Sequence, residues 1–170
     1  MSNKMDSVIA KGTGKVKGVK ARLSGLEGVF KTLSEQHGEA KAIIERIKSN
    51  PKKRAELWPT LKKELVSHER AEMREVYPEL REHGETSAFA DHHDEEASEL
   101  DNLIQQLSAL AVDSDEWGRL FSTLGDKVIH HATEEEKEIF PKAQPVIGDE
   151  MTETLDERFL ATQRRIKESL

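Results

Sequence analysis

Apolar residues recur at alternating steps of three and four along the first third of the chain. The run is Val16, Val19, Leu23, Leu26, Phe30 and Leu33, continuing through His37 to Ile44 and Ile47. That spacing keeps every member on one face of an α-helix. It predicts a first helix from Val16 to Asn50-Pro51, because a proline disfavours helical backbone in the residue before it. Gly18, Gly25 and Gly28 weaken its first half, by about 1 kcal/mol each relative to alanine. A second stripe, Leu61, Leu65, His68, Glu72 and Val76, predicts a helix that starts near Trp58-Pro59 and closes at Tyr77-Pro78. Proline in a first turn loses no hydrogen bond. His83-Gly84 reads as a loop, and a third helix is expected over roughly Ser87 to Ala111. Asp113-Ser114-Asp115 then supplies capping residues for a fourth helix. That helix carries Trp117, Phe121, Leu124, Val128, His131 and Glu135 and is expected to stop before Pro141. Beyond Pro145 and Gly148, the positions Met151, Leu155, Phe159 and Ile166 mark a last amphipathic helix. No segment alternates as a half-buried strand would. The expected fold class is all-α.

The inward stripes of the second and fourth helices carry a repeat. One reads His68, Glu72, Glu75, Val76, Tyr77, Pro78; the other reads His131, Glu135, Glu138, Ile139, Phe140, Pro141. Both are His-x-x-x-Glu followed by Glu, an aliphatic residue, an aromatic residue and proline. Residues four apart on a helix are stacked on one face, roughly 5–6 Å from each other. Each His–Glu pair therefore reaches a common point from its own helix. An imidazole and a carboxylate on an otherwise apolar face are costly to bury without partners, and two facing carboxylates repel. Divalent cations relieve both penalties.

Single histidines on the other two helices complete the set. His37 continues the stripe of the first helix. On the third, stepping from His93 gives Ala97, Leu100, Ile104 and Leu107, whereas stepping from His92 gives Glu96, Glu99, Leu103 and Gln106. His93 is thus read as inward, and His92 as outward or in contact with the inward set from behind. The same test prefers His131 to His130, whose face holds Lys127, Glu134 and Lys137. One inward histidine alone reads as a satisfied core residue. Four on matching faces, two with Glu at i+4, read as metal ligands.

Composition narrows the chemistry. The 170 residues contain no cysteine, so disulfides, thiolate metal sites, iron–sulfur clusters and thiol catalysis are excluded. No apolar run approaches the roughly 20 residues that cross a bilayer, and no apolar h-region follows the N-terminal lysines; a cytoplasmic location is expected. The net charge of −7 divides unevenly, with residues 1–30 carrying +4. This basic arm reads as a solvated tail rather than a nucleic-acid or membrane contact, since it has no aromatic residue before Phe30 to stack on a base. No histidine has Glu three residues earlier, as ferritin-like di-iron bundles require. The zinc-protease pattern fails at Glu72, where a second histidine would stand. Neither a phosphate-binding glycine loop nor a Ser–His–acid arrangement is present.

The order His37, His68-x-x-x-Glu72, His93, His131-x-x-x-Glu135, one element per helix, resembles the hemerythrin-like (HHE cation-binding) domain over about residues 26–141. The resemblance implies an up-down four-helix bundle over 16–145, with a basic arm at 1–15 and a C-terminal amphipathic helix at 146–170 packed on the bundle. It implies two irons (Fe2+/Fe3+) bridged by Glu72, Glu135 and an oxo or hydroxo group, with His37, His68, His93 and His131 as terminal ligands. The expected partner is a small oxidant: dioxygen, peroxide or nitric oxide. The function implied is oxidant binding or a di-iron oxidoreductase activity, catalase-like or oxidase-type. The alternative is an iron- or oxygen-responsive sensor or iron-handling module. One departure matters. Oxygen-carrying hemerythrins have two histidines one turn apart on the third helix, whereas here Ala97 follows His93 by four and Phe89 precedes it by four. Glu69 is the residue placed to fill that gap, and an unsaturated site favours reaction or sensing over carriage. Tyr77 and Phe140 are expected to pack above the site.

Overall fold

The computed structural model describes residues 25–170; Val16, Val19, Leu23 and the basic arm lie outside the described residues. All regular structure within them is helical. Helix α1 spans Gly28–Ser49 and is followed by a 3-10 turn, Pro51–Lys53. Helix α2 (Arg54–Ala71) runs through a π-helical turn (Glu72–Val76) into α3 (Tyr77–Arg81). Then come α4 (Ser87–Ala109) and α5 (Asp115–Glu134). A second π-helical turn (Glu135–Ile139) leads into α6 (Phe140–Ile147), and α7 is Asp149–Ser169.

Three boundaries differ from the periodicity reading. Gly25 and Gly28 are not weak points inside a helix but the turn that opens α1. Their φ angles are +88° and +51°, left-handed backbone that glycine adopts without penalty. A Cβ on Gly28 would sit 2.8 Å from both Cγ2 and the backbone oxygen of Thr152 in α7. Gly28→Ala should therefore lower unfolding stability by about 1–3 kcal/mol, measurable by urea titration. Gly25→Ala, with nothing within 4 Å of its Cβ, should incur only the backbone strain. Second, Asn50 both ends α1 and opens the next turn, its side chain accepting from the Lys52 N–H at 3.3 Å. The proline at a helix start is thus Pro51, not Pro59, which lies inside α2.

Third, Pro78 and Pro141 do not stop their helices. A proline removes one helical hydrogen bond and crowds the carbonyl four residues back. The chain widens by one residue just before each: the Tyr77 N–H bonds to the Glu72 carbonyl, and the Phe140 N–H to the Glu135 carbonyl. Helical structure then continues to Arg81 and Ile147. The Ser114 cap is as expected, accepting from the Trp117 N–H at 3.1 Å.

Helix α1 packs on α2 and α5, and α4 packs on α2, α3 and α5, while α7 lies along α1 and α2. The buried apolar residues form two clusters. One gathers Phe30, Leu33, Tyr77, Phe140, Leu155 and Phe159; the other gathers Ile44, Trp58, Leu61, Ile104, Trp117 and Phe121. Each histidine stripe crosses from one cluster to the other, so His37 falls between Leu33 and Ala40 and His68 between Val66 and Ala71. Among the described residues no helix is long and apolar enough to cross a membrane.

Candidate metal centre

A polar layer separates the two apolar clusters. His37, His68, Glu72, His93, His131 and Glu135 are all buried there, with Glu72, His93 and Glu135 at 0% exposure. Their donor atoms form two groups, each within 4.8 Å: Glu69, Glu72, His93 and His131 in one, and His37, His68 and Glu135 in the other. Two carboxylates face both groups. Glu135 puts Oε2 3.2 Å from His37 Nε2 and Oε1 3.5 Å from His131 Nε2. Glu72 puts Oε2 3.4 Å from the Nε2 atoms of both His68 and His93. Glu69 meets only one group, at 3.3 Å from His93 Nε2 and 3.5 Å from His131 Nε2.

The imidazoles are held from behind. His37 Nδ1–H donates to Glu136 at 3.2 Å, His68 Nδ1–H to the Gln36 amide oxygen at 2.8 Å, and His131 Nδ1–H to Glu96 at 2.5 Å. These bonds hold the rings with Nε2 facing inward, the orientation that metal-bound histidines require. His93 is held instead by its ring, stacked on Tyr77 with centroids 3.7 Å apart. The matching aromatic residue of the repeat, Phe140, stacks on His37 at 6.1 Å. The Tyr77 hydroxyl donates to Glu135 Oε1 at 2.5 Å, a bond beyond the packing role expected of it.

What remains facing inward is unsatisfied. His37 Nε2, His68 Nε2, His131 Nε2, Glu69 Oε2, Glu72 Oε1 and Glu135 Oε2 are buried without a hydrogen-bond partner. An orphaned buried acceptor costs about 1–3 kcal/mol, and more for a charged group. Six orphans converging on one layer, nitrogen and carboxylate only, are a donor set suited to imidazole- and carboxylate-binding metals such as iron. Without cations the layer holds itself together by charge. Burial disfavours the His37 cation, but the Glu135 and Glu136 carboxylates outweigh it and bring its pKa to about 9. For His93 the same opposition, with Glu69 and Glu72 as partners, ends at about 10. Burial raises Glu72, yet His68 and His93 pull it down to about 2. In Tyr77, burial and the charges of Glu135 and Glu72 all push the phenol well above its ordinary value.

The periodicity reading missed four contributors. Glu96, assigned to the outward His92 face, orients His131, and Glu136, which no inward stripe includes, orients His37. Glu96 carried a signal, standing three residues after His93 and so near its inward edge. Gln36 and Gln163 carried none: they form a reciprocal amide pair, both bonds 2.8 Å, and the Gln36 oxygen also holds His68. Gln36→Leu should cost about 10–100-fold in metal affinity, read by competition with a chromogenic chelator. His92, by contrast, is exposed and lies outside the buried layer, grouped with the half-buried Glu96 and Glu134, and His130 is exposed.

Fold and donor set together define a cation-binding helical bundle. The Hemerythrin HHE cation binding domain matches residues 22–143, and the chain belongs to that family. A curated relative, the DNA nickase of Nostoc sp. (strain PCC 7120), is 28% identical over 125 residues, which are 72% of this chain and 34% of that protein. The chain thus spans about a third of the length of that relative. No solved structure matches it.

Proposed function

We propose that the two donor groups hold a pair of irons with an oxo or hydroxo bridge, and that the centre binds or reacts with dioxygen, peroxide or nitric oxide. Glu72 and Glu135 would bridge, His37, His68, His93 and His131 would be terminal ligands, and Glu69 would supply the ligand missing at Ala97. The observation that carries this reading is that Glu72 and Glu135 each face both groups of inward nitrogens. Iron bound there would supply electrons and Lewis acidity to a small oxidant. The chain's own part is fourfold. Gln36, Glu96 and Glu136 aim the imidazoles, and Tyr77 holds a proton at its hydroxyl against Glu135. The aromatic and aliphatic clusters on either side keep water out, and Glu69 stands where the layer meets solvent at 13% side-chain exposure. The reading treats 16–145 as an up-down four-helix unit bearing the metals, 146–170 as a helix added to it and 1–15 as a basic arm, in a cytoplasmic protein.

A second reading, a sensor or iron-handling module, is favoured by one observation. Helix α7 touches the centre through Gln163 and Gln36, so metal occupancy is linked to the packing of a helix outside the matched domain. The nicking of DNA named for the Nostoc relative is not carried over, because the matched segment is 34% of that protein.

The test is reconstitution with ferrous iron followed by metal analysis, near-ultraviolet absorption and oxygen evolution on adding peroxide. Two irons per chain with charge-transfer bands support the centre, and sustained oxygen release selects enzyme over sensor. His93→Ala should lose iron and His92→Ala should keep it; the reverse pattern would overturn the assignment on α4.

A further inference from the structure

Between α2 and α4 a cleft of about 570 Å³ opens to solvent and reaches down to Glu69. Pockets of roughly 300–1,000 Å³ suit small organic molecules, and this one is far larger than a diatomic oxidant needs. Its walls are of two kinds. Leu65, Val66, Leu100 and Ile104 are buried apolar side chains. Arg70 and Arg74 are exposed, line the same cleft, and pair with no carboxylate among the described residues. Both arginines line the one cleft, Arg70 from α2 and Arg74 from the π-helical turn that follows it, and guanidinium is the side chain best matched to a carboxylate. Asp101 on the α4 wall accepts a hydrogen bond from the Gln105 amide at 2.7 Å and forms no ion pair with either arginine. Met73 stands at the rim, 42% exposed, where its flexible thioether adapts to varied hydrocarbon surfaces. At the floor Ala97 is small enough to leave Glu69 open to the cleft, at the position where a second α4 histidine would close it.

We propose that this cleft binds an amphipathic monocarboxylate, its head on Arg70 and Arg74 and its hydrocarbon chain along Leu65, Val66, Leu100 and Ile104. Along α2 and the π-helical turn that continues it, Glu69 lies between Arg74 at one end and Leu65 at the other, so the middle of the ligand passes the donor group of Glu69, Glu72, His93 and His131. This makes an acyl carboxylate, rather than the oxidant alone, the molecule that the centre acts beside. The inference rests on the iron reading only for that last consequence; the binding itself does not need metal.

Sodium decanoate below its micellar concentration is titrated by calorimetry into iron-free and iron-loaded protein, with 1-decanol and butyrate as controls and iron content measured on the same samples. Decanoate should bind more tightly than either control, because each control lacks one half of the complement. The double variant Arg70→Gln/Arg74→Gln should weaken decanoate by roughly tenfold or more while leaving decanol unchanged. Ala97→Phe should abolish decanoate binding. Because that variant fills a core-edge position, a measurement on the unmodified protein accompanies it: decanoate should shift the methyl resonance of Met73 and not that of Met151. No decanoate binding, or equal binding by the double arginine variant with Met73 unmoved, overturns the proposal. Iron loading without decanoate binding would defeat the cleft inference alone, and decanoate binding by protein that takes up no iron on reconstitution would support it while defeating the di-iron reading.

Discussion

Glu135→Ala should empty both metal positions at once. Its two carboxylate oxygens lie 3.2 Å from His37 Nε2 and 3.5 Å from His131 Nε2, and those histidines belong to different donor groups. On the di-iron reading proposed above, removing the residue withdraws a ligand from each position, and it leaves the Tyr77 hydroxyl without its acceptor. Loss of a supporting residue behind a ligand typically costs about 10–100-fold in affinity, so loss of a shared ligand should exceed that at both positions. Glu72→Ala should behave alike, since its Oε2 is 3.4 Å from His68 and His93, again one from each group. Glu69→Ala should cost only one metal, because Glu69 meets one group. Metal per chain after gel filtration decides it: a Glu135→Ala protein that retains one full equivalent would show that the carboxylate serves a single position.

Stripping the metal should lower the thermal midpoint, and the size of the drop should grow with pH. At free metal a thousandfold above Kd the linkage is about 4 kcal/mol for each site, roughly 8–16 °C per site for a chain of this size. The pH dependence follows from the histidines. In the metal-free fold His37 has a pKa of about 9 and His93 about 10, against 6.5 ordinarily. A group whose pKa is raised by folding stabilises the fold below its unfolded value and loses that contribution as pH climbs through the folded one. The metal-free protein should therefore weaken between about pH 6.5 and 10. Metal must displace those same protons, so its affinity rises over the same interval. The gap between the two midpoints should widen from pH 6.5 to 9 in scanning calorimetry, and a gap that narrows would contradict the protonated, metal-free layer described above.

Helical periodicity was enough to separate inward from outward faces, and so to single out His93 over His92 and His131 over His130 as the buried members of each pair. It could not show what a neighbouring helix offers to the back of an imidazole. Gln163 meets Gln36 across 127 positions of sequence, and no stripe on either helix announces the pairing. Proline misled in a specific way. Pro78 and Pro141 were read as stops because the ordinary helix cannot absorb them, but a turn widened to i→i+5 can. That same turn bonds the Tyr77 N–H to the Glu72 carbonyl, shifting the helix register in a way the i+4 rule does not address, so the hydroxyl bond to Glu135 has no signature in the spacing. In the sequence Gly25 and Gly28 register only as propensity losses, because positive φ and the approach of Thr152 belong to the folded chain.

Helix α7 begins after residue 143, where the family match ends, yet its Phe159 stands edge-on to His68 at 5.8 Å and its Gln163 braces Gln36. Of the four imidazoles, only His68 is steadied from there. Prising α7 away would therefore slacken one corner of the layer and leave His93 and His131 gripped by Tyr77 and Glu96. On the two-metal reading, the ions should depart in sequence, the His37–His68–Glu135 position first, and an intermediate with a single ion becomes a natural stage in the dismantling of this protein.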